Sequence, residues 1–186
     1  DITRTIPLGK VSQQFIDDST LVLKGMIQLA MVQFPKGSRG VQLDAYARMA
    51  LWKNHKDYGH GTGHGVGSFM NVHEGPQNIR KDLNPQVLLA GMVCSDEPGF
   101  YLENQYGIRH ENLVAVREVA SNEFGTFYDF ETLTLCPFMP SGINVALLTD
   151  VERQWLNAYH KTCEEKIAPL LEGDVKEWFL SLVKPL

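Results

Sequence analysis

The chain has 186 residues, of which 44% are hydrophobic and 21% charged, a composition typical of one globular domain with a sizeable core. Its formal net charge of −5 argues against nucleic acid or an anionic membrane as the main partner. The sequence has no apolar run of about eighteen residues and no signal-peptide pattern, so we expect no membrane segment.

The cysteines and the first residue indicate the setting of the chain. Cys94, Cys136 and Cys163 are odd in number and widely spaced, which favours a reducing compartment such as the cytoplasm over a disulfide framework. The chain begins at Asp1 inside a strand-like run and without methionine, so we expect it to be a piece of a longer polypeptide.

The first third of the chain predicts one strand and two helices. Residues 1–8 alternate β-branched side chains, which predicts a short strand. Apolar residues recur every three or four positions from Ser12 to about Gln33, so this stretch predicts a long amphipathic helix that Pro35 ends. The same spacing over residues 43–51 predicts a second helix.

The rest of the chain predicts strands followed by helices. Residues 92–95, 107–119 and 127–138 are strand candidates, and the segment DEPGFYLENQ separates the first two. Thr149 and Glu152 have the spacing of a capping box at the start of a helix, and a short helix closes the chain. Because no repeat or linker divides the sequence, we expect an α+β domain with helices packed on an antiparallel sheet.

The stretch GHGTGHGVG, residues 59–67, places five glycines at alternate positions with His60 and His64 between them. Glycine gives the backbone conformational freedom and lets other groups approach it closely. The stretch matches neither the G-x-G-x-x-G dinucleotide fingerprint nor the ending of a phosphate-binding loop. We therefore interpret it as the seat of a metal, a ligand or a substrate rather than as an accidental surface loop.

The strand region contains charged residues in apolar company. Because alternate residues of a strand share a face, Arg109 and Glu111 should point one way and His110 the other. Taken alone, Arg109 and Glu111 are best interpreted as a buried ion pair, since buried charges are normally paired. His110 is expected to have a structural role in the outer packing of the sheet.

Taken together, the acidic residues and one histidine favour a metal centre. Three carboxylates and one imidazole are rich in oxygen and poor in nitrogen, so they suit two close divalent cations better than one tetrahedral zinc. Mn(II), Co(II) or Fe(II) would fit such ligands, and Zn(II) is a further candidate. The sequence lacks the H-E-x-x-H motif of single-zinc proteases. The candidate metal ligands are Asp1, His64, Glu97 and Glu111.

The segments DITRT, GHGTGHGVGSFMNVHEGP, GMVCSDEPGFY and YGIRHENLVAV resemble, in this order, the motifs of aminopeptidase P, the Xaa-Pro aminopeptidases. These enzymes are pita-bread metallopeptidases, as are prolidase, methionine aminopeptidase and creatinase. The resemblance implies that residues 1–147 are the second half of a pita-bread catalytic domain with a curved antiparallel sheet. It further implies that residues 148–186 are the helical extension of the eukaryotic cytosolic enzymes. The N-terminal domains and the first half of the catalytic domain would lie outside this chain.

The resemblance also implies a role for each candidate residue. The family hydrolyses the bond between an N-terminal residue and a following proline, using a hydroxide held between two metal ions, most fittingly Mn(II). His60 and His73 match histidines that contact the substrate and move protons, and Arg109 matches an arginine that braces the hydrogen bonds around the site. Four of the five family metal ligands are matched, by Asp1, His64, Glu97 and Glu111.

Partners and rival functions complete the expectations. The first aspartate ligand lies upstream in the family, so this chain alone should be inactive without the N-terminal remainder of its own polypeptide. The eukaryotic enzymes form homodimers, and the aromatic residues of the last helices belong either to the core or to such an interface: Trp155, Tyr159, Trp178 and Phe179. The alternatives are a prolidase-type dipeptidase on the same fold and a non-catalytic pita-bread binding module.

Overall fold

The computed structural model describes residues 1–69 and 71–186, and it confirms the α+β class, with four helices and eight strands among these residues. The helices are α1 (Gln13–Ala30), α2 (Gly40–Trp52), α3 (Asp150–Ile167) and α4 (Gly173–Leu182). The strands are β1 (Phe34–Pro35), β2 (Gly63–His64), β3 (Asn78–Ile79), β4 (Val93–Asp96), β5 (Gly99–Leu102), β6 (Tyr106–Arg109), β7 (Asn112–Asn122) and β8 (Gly125–Thr132).

The main sheet is antiparallel and has the strand order β1-β8-β7-β4. A register shift between Glu118 and Ala120 interrupts the β7–β8 hairpin, and such bulges increase the local twist and bend of a strand. Two short antiparallel pairs, β2 with β3 and β5 with β6, lie beside this sheet and carry His64 and Arg109 of the candidate site.

The predicted strand over residues 107–119 is wrong in one respect, because it divides into β6 and β7 at Glu111. There the Glu111 amide donates to the Thr3 carbonyl at 3.0 Å, and this bridge interrupts the ladder. The segment predicted to separate two strands contains β5, which pairs with β6. The sequence of this segment predicts a turn at Pro98 and Gly99. The strand β5 forms there because the following strand, β6, supplies its hydrogen-bond partners.

Residues 1–8 form one bridge, at Thr3, rather than the predicted strand, within the part of the chain that the structure describes. Two residues further on, the Thr5 side chain replaces the backbone ladder. Its Oγ1 accepts from the Arg109 amide at 3.0 Å and donates to the Arg109 carbonyl at 2.9 Å. The side chain thereby satisfies groups that a regular strand would pair through its backbone.

Helix α1 lies between the sheet and the C-terminal helices. Ser12 caps its N-terminus by accepting from the Phe15 amide, and the helix ends before the predicted Gln33. Its Leu29 packs in a cluster with the sheet, whereas Met26 packs with the C-terminal helices. A Cβ atom at Gly25 would lie 2.1 Å from the Ala47 carbonyl oxygen, so this glycine permits the close contact between α1 and α2.

The C-terminal helices pack against α1, and the predicted capping box at the start of α3 is confirmed. The Glu152 carboxylate of this box also binds Lys24 of α1 at 2.5 Å. Tyr159 and Phe179 lie in the core, whereas Trp178 is 55% exposed. No helix among the described residues combines the length and the apolar character needed to cross a membrane.

Arg4 ties the start of the chain to its C-terminal part. Its Nη1 donates to the Glu111 carbonyl at 2.6 Å, and its Nη2 donates to the Cys136 carbonyl at 2.7 Å and to the Tyr159 hydroxyl at 3.0 Å. The guanidinium also stacks on the Phe138 ring at 3.9 Å from its centroid. Charge-assisted bonds of this kind are stronger than neutral ones, so Arg4 fixes the segment that carries Asp1.

Candidate metal centre

Three of the candidate ligands form one tight cluster. Asp1, His64 and Glu111 each offer one ligand atom, and these atoms lie within 4.8 Å of one another. His64 Nε2 lies 3.1 Å from an Asp1 carboxylate oxygen and 3.4 Å from a Glu97 carboxylate oxygen. The structure therefore brings together all four residues that the sequence predicts as ligands, with Glu97 reached through His64.

The ring of His64 is oriented with Nε2 toward the carboxylates. Its Nδ1 lies 2.9 Å from the Gly65 carbonyl oxygen. A carbonyl oxygen can only accept, so we assign the hydrogen to Nδ1, which leaves Nε2 available as a ligand for a cation held between it and the carboxylates of Asp1 and Glu97. A metal-ligating histidine commonly donates its other N–H to a carbonyl in this way.

Three of the five alternate glycines, Gly63, Gly65 and Gly67, pack directly against protein backbone. A Cβ atom at Gly63 would lie 2.0 Å from the Ser95 carbonyl oxygen on β4, and one at Gly65 would lie 2.1 Å from the Glu74 carbonyl oxygen. These distances leave no room for any side chain. The glycines thus bring His64 to the edge of β4 by admitting neighbouring backbone.

Glu97 is held by three different groups. Its backbone amide donates to the Thr62 carbonyl at 2.7 Å, and the Ser95 hydroxyl donates to its carboxylate at 3.1 Å. Its other carboxylate oxygen lies 2.8 Å from Arg109 Nη1. Because Arg109 pairs with Glu97, the sequence-based interpretation of an ion pair between Arg109 and Glu111 is wrong. The hairpin of β5 and β6, which places Gly99 opposite Arg109, brings the guanidinium over Glu97.

Sequence reasoning missed a fourth carboxyl group, that of Asp96. It is fully buried, and neither of its side-chain oxygens has a hydrogen-bond partner among the described residues. Burial, followed by the negative charges of Glu111 and Glu97, raises the pKa of Asp96 well above its ordinary value. Carboxyl groups crowded this closely fit a site for cations, because a cation removes their mutual repulsion.

The remaining candidate residues line a cavity of about 340 Å³ beside the carboxylates. The His73 ring packs edge-on against His64 with 4.2 Å between their centroids. Asn78 and Arg80 also line this cavity, and sequence reasoning had missed both. The cavity is therefore lined by two imidazoles, an amide and two guanidinium groups in addition to the candidate ligands His64 and Glu97.

His60 belongs to a chain of hydrogen bonds that sequence reasoning had also missed. Its Nδ1 lies 2.8 Å from the Gly61 carbonyl, so its Nε2 accepts from the Tyr101 hydroxyl at 2.8 Å. That hydroxyl in turn accepts from Arg109 Nε at 3.1 Å. Burial lowers the pKa of His60, and the positive charge of Arg109 lowers it further, so His60 is neutral near pH 7. Tyr101 shares a strand face with Gly99, two residues before it.

The two buried histidines outside the site have structural contacts. His110 faces away from Arg109, with Nε2 lying 3.0 Å from the Ser19 hydroxyl, and burial lowers its pKa to about 3. His160 Nε2 accepts from the Phe138 amide at 3.1 Å. These contacts agree with the structural interpretation of His110.

Comparison with known proteins places this geometry in context. Residues 1–118 match Metallopeptidase family M24, and residues 126–186 match the C-terminal region of peptidase M24. A probable Xaa-Pro aminopeptidase P of Laccaria bicolor is 45% identical over 193 residues, covering all of this chain and 30% of that protein. Aminopeptidase P2 of Arabidopsis thaliana is 46% identical over 191 residues, covering all of this chain and 27% of that protein. The chain thus spans about a third or less of the length of these curated relatives.

Solved structures give the same picture. The crystal structure of X-prolyl aminopeptidase from Caenorhabditis elegans, described as a cytosolic enzyme with a di-nuclear active site, superposes with a TM-score of 0.93 at 40% identity. The match covers 100% of this chain and 31% of that one. An Xaa-Pro dipeptidase from Bacillus anthracis superposes with a TM-score of 0.60 at 29% identity, over 74% of this chain and 35% of that one. The expected pita-bread half-fold is confirmed by the first of these structures.

Proposed function

Because the chain belongs to metallopeptidase family M24, we propose that the full protein is a metal-dependent aminopeptidase that removes an N-terminal residue preceding proline. The observation that carries this proposal is the convergence of Asp1, His64 and Glu111 to within 4.8 Å, with Glu97 beside them. The names of the relatives that cover the whole chain support an Xaa-Pro aminopeptidase over other peptidases.

We propose that Asp1, His64, Glu97 and Glu111 hold two divalent cations, together with a ligand from the preceding part of the polypeptide. The oxygen-rich ligand set fits Mn(II) best, with Co(II), Fe(II) or Zn(II) as alternatives. When bound, two such cations would lower the pKa of a coordinated water to near neutral pH, and they would also act as a Lewis acid toward a carbonyl oxygen. The di-nuclear active site of the Caenorhabditis elegans enzyme supports the number of ions.

The residues of this chain then have separable roles in the proposed reaction. His60 is neutral, and its Nε2 accepts from the Tyr101 hydroxyl. It is therefore able to take up a proton at Nε2, in the cavity that it lines. His73 lines the same cavity, where its ring is able to donate to a peptide carbonyl. Arg109 orients Glu97 through its Nη1 and Tyr101 through its Nε, and it acts as a positioning residue.

We further propose that the full protein is a cytoplasmic homodimer acting on peptides with proline in the second position. The description of the Caenorhabditis elegans enzyme as cytosolic supports the compartment. Exposed aromatic side chains support an interface, namely Trp178 at 55% and, on the face of α2, Trp52 at 46% and Tyr46 at 43% exposure. The division at residues 147 and 148, and the dependence on the N-terminal remainder, are also parts of this proposal.

Hydrolysis by the full-length protein tests the proposed function. With added Mn(II), we expect release of arginine from Arg-Pro-Pro and complete loss of this activity with a chelator. A prolidase-type enzyme would instead cleave only an Xaa-Pro dipeptide. The similarity to the Bacillus anthracis dipeptidase is the observation that favours this alternative. A non-catalytic binding module would cleave neither substrate, and elemental analysis would find it free of metal.

A further inference from the structure

Helix α2 contributes a buried guanidinium that lies behind the loop carrying His60. Arg48 has no exposed surface, and it is among the largest fully buried side chains of the chain. Its Nε donates to one Asp44 carboxylate oxygen at 2.6 Å, and its Nη2 donates to the other at 3.3 Å. Burying a charge in this way is unfavourable unless every polar atom of the group is satisfied.

The remaining donors of Arg48 are directed at the loop. Its Nη1 donates to the carboxylate of Asp57 at 2.8 Å and to the carbonyl of Tyr58 at 2.7 Å. Its Nη2 donates to the carbonyl of His60 at 2.9 Å. A guanidinium has five N–H groups, and these five bonds use all of them. The position of the His60 backbone is therefore fixed from α2.

The Asp44 carboxylate fixes the other end of the same loop. One of its oxygens accepts from the Thr62 hydroxyl at 2.5 Å. The Thr62 carbonyl accepts from the amide of Glu97 at 2.7 Å. One ion pair on α2 thus reaches two parts of the candidate site: His60 directly, at its backbone carbonyl, and Glu97 through Thr62.

We propose that Arg48 and Asp44 form a positioning pair that sets the placement of His60 and Glu97 for the proposed peptidase reaction. An apolar side chain of similar volume would fill the same space, and replacement of buried ion pairs by apolar residues is often neutral or stabilising. What only a planar guanidinium supplies here is a rigid set of donors at fixed angles to the loop carbonyls. The inference rests on the proposed function, and it adds two residues that the family ligand pattern does not include.

A double-mutant cycle in the full-length protein tests this positioning role. Arg48→Lys keeps the charge but loses the planar fork, so we expect kcat/KM to fall by about 10- to 100-fold, as small displacements of catalytic groups do. In a His60→Ala background the same substitution should have a smaller effect, because the His60 imidazole, one of the two groups that the pair positions, is then absent. Arg117→Lys is the matched control, since Arg117 is exposed and pairs with Asp129 on the sheet surface.

Thr62 gives a second, milder test in case Arg48→Lys does not fold. Thr62→Val removes the hydroxyl that donates to Asp44, so we expect a lower melting temperature and, at a temperature where the variant is fully folded, a lower kcat/KM, whereas Thr62→Ser should retain both. Additive effects of Arg48→Lys and His60→Ala, or equal activity of the Val and Ser variants, would overturn the inference. An inactive wild-type protein would instead refute the proposed function on which it rests.

Discussion

Arg109 binds Glu97 rather than Glu111, with 2.8 Å between Nη1 and the carboxylate. Two residues that are fourteen positions apart along the chain, Glu97 and Glu111, therefore differ in their partners, because Glu111 is instead held by the Thr3 hydroxyl. The guanidinium holds the Glu97 carboxylate in one orientation, and a metal ligand needs such a fixed orientation.

Replacement of Arg109 should weaken metal binding. Arg109→Lys cannot contact both Glu97 and Tyr101 with the same geometry, so we expect a loss of about 10- to 100-fold in metal affinity. Isothermal titration of the metal-free full-length protein with Mn(II) measures this change, with Arg117→Lys as the control. Unchanged affinity in the Arg109 variant would show that Glu97 is oriented by other groups.

Removal of the Tyr101 hydroxyl should slow turnover without loss of metal. In Tyr101→Phe, His60 Nε2 loses its donor and Arg109 Nε loses its acceptor, whereas the ring remains in place. We expect kcat to fall by about 10-fold, which corresponds to the loss of one hydrogen bond of ordinary strength. Steady-state rate measurements test the expected fall in kcat, and elemental analysis of the same sample tests whether the metal is retained. Tyr128→Phe, on β8 of the main sheet and not among the residues that line the site cavity, provides the control.

The glycines of the histidine loop should differ sharply in their tolerance of alanine. Gly63→Ala forces a Cβ atom toward the Ser95 carbonyl, so we expect the free energy of unfolding to fall by about 1–3 kcal/mol. Gly59→Ala meets no atom within 4 Å of its new Cβ, and we expect it to change stability little. Urea unfolding of the two variants measures the difference, and equal midpoints would contradict the close packing against β4.

His160 should make the stability of the fold depend on pH. Burial, aided by the positive charge of Arg4, lowers the pKa of His160 to about 4 in the folded protein from 6.5. Between these two values the unfolded chain binds a proton that the folded chain does not. The contribution of His160 to the free energy of unfolding should therefore be complete above pH 6.5 and should fall as the pH drops toward 4, by up to about 1.4 kcal/mol per unit.

The comparison of wild type with His160→Gln isolates this contribution. A glutamine oxygen is able to accept from the Phe138 amide as Nε2 does, but it does not titrate. We expect a flatter pH dependence of the melting temperature between pH 4 and 6.5 in this variant. The exposed His55→Gln substitution is the control. Parallel curves for wild type and His160→Gln would exclude His160 as the source.

Local patterns predicted a large part of this fold and site. The spacing of apolar residues defined α1, and the capping box at Thr149 defined the start of α3, because both depend on neighbours within a turn or two. The glycine–histidine stretch identified His60 and His64 for the same reason, since its composition is visible within nine residues. Their roles as ligand and catalytic residue stay predictions.

Relationships between distant segments were not visible in the pattern. The strand-like pattern of residues 107–119 gave no sign that a bridge to Thr3 divides β6 from β7. The partner of Arg109 depends on the β5–β6 hairpin, and the burial of Asp96 depends on its strand partner β7. In each case the deciding contact joins residues whose separation in sequence carries no periodic signal.

The contacts of Arg4 connect the start of the chain with residues 136–159. Arg4 donates hydrogen bonds to the Cys136 carbonyl and the Tyr159 hydroxyl, and it thereby holds the segment that contains Asp1. A version of the protein shortened ahead of α3 would keep the Cys136 carbonyl and the Phe138 ring but would lose the Tyr159 hydroxyl as an acceptor for Arg4. Through Tyr159, helix α3 thus helps to hold the segment that contains Asp1, so we expect removal of this helix to loosen a segment about 150 residues earlier in the chain.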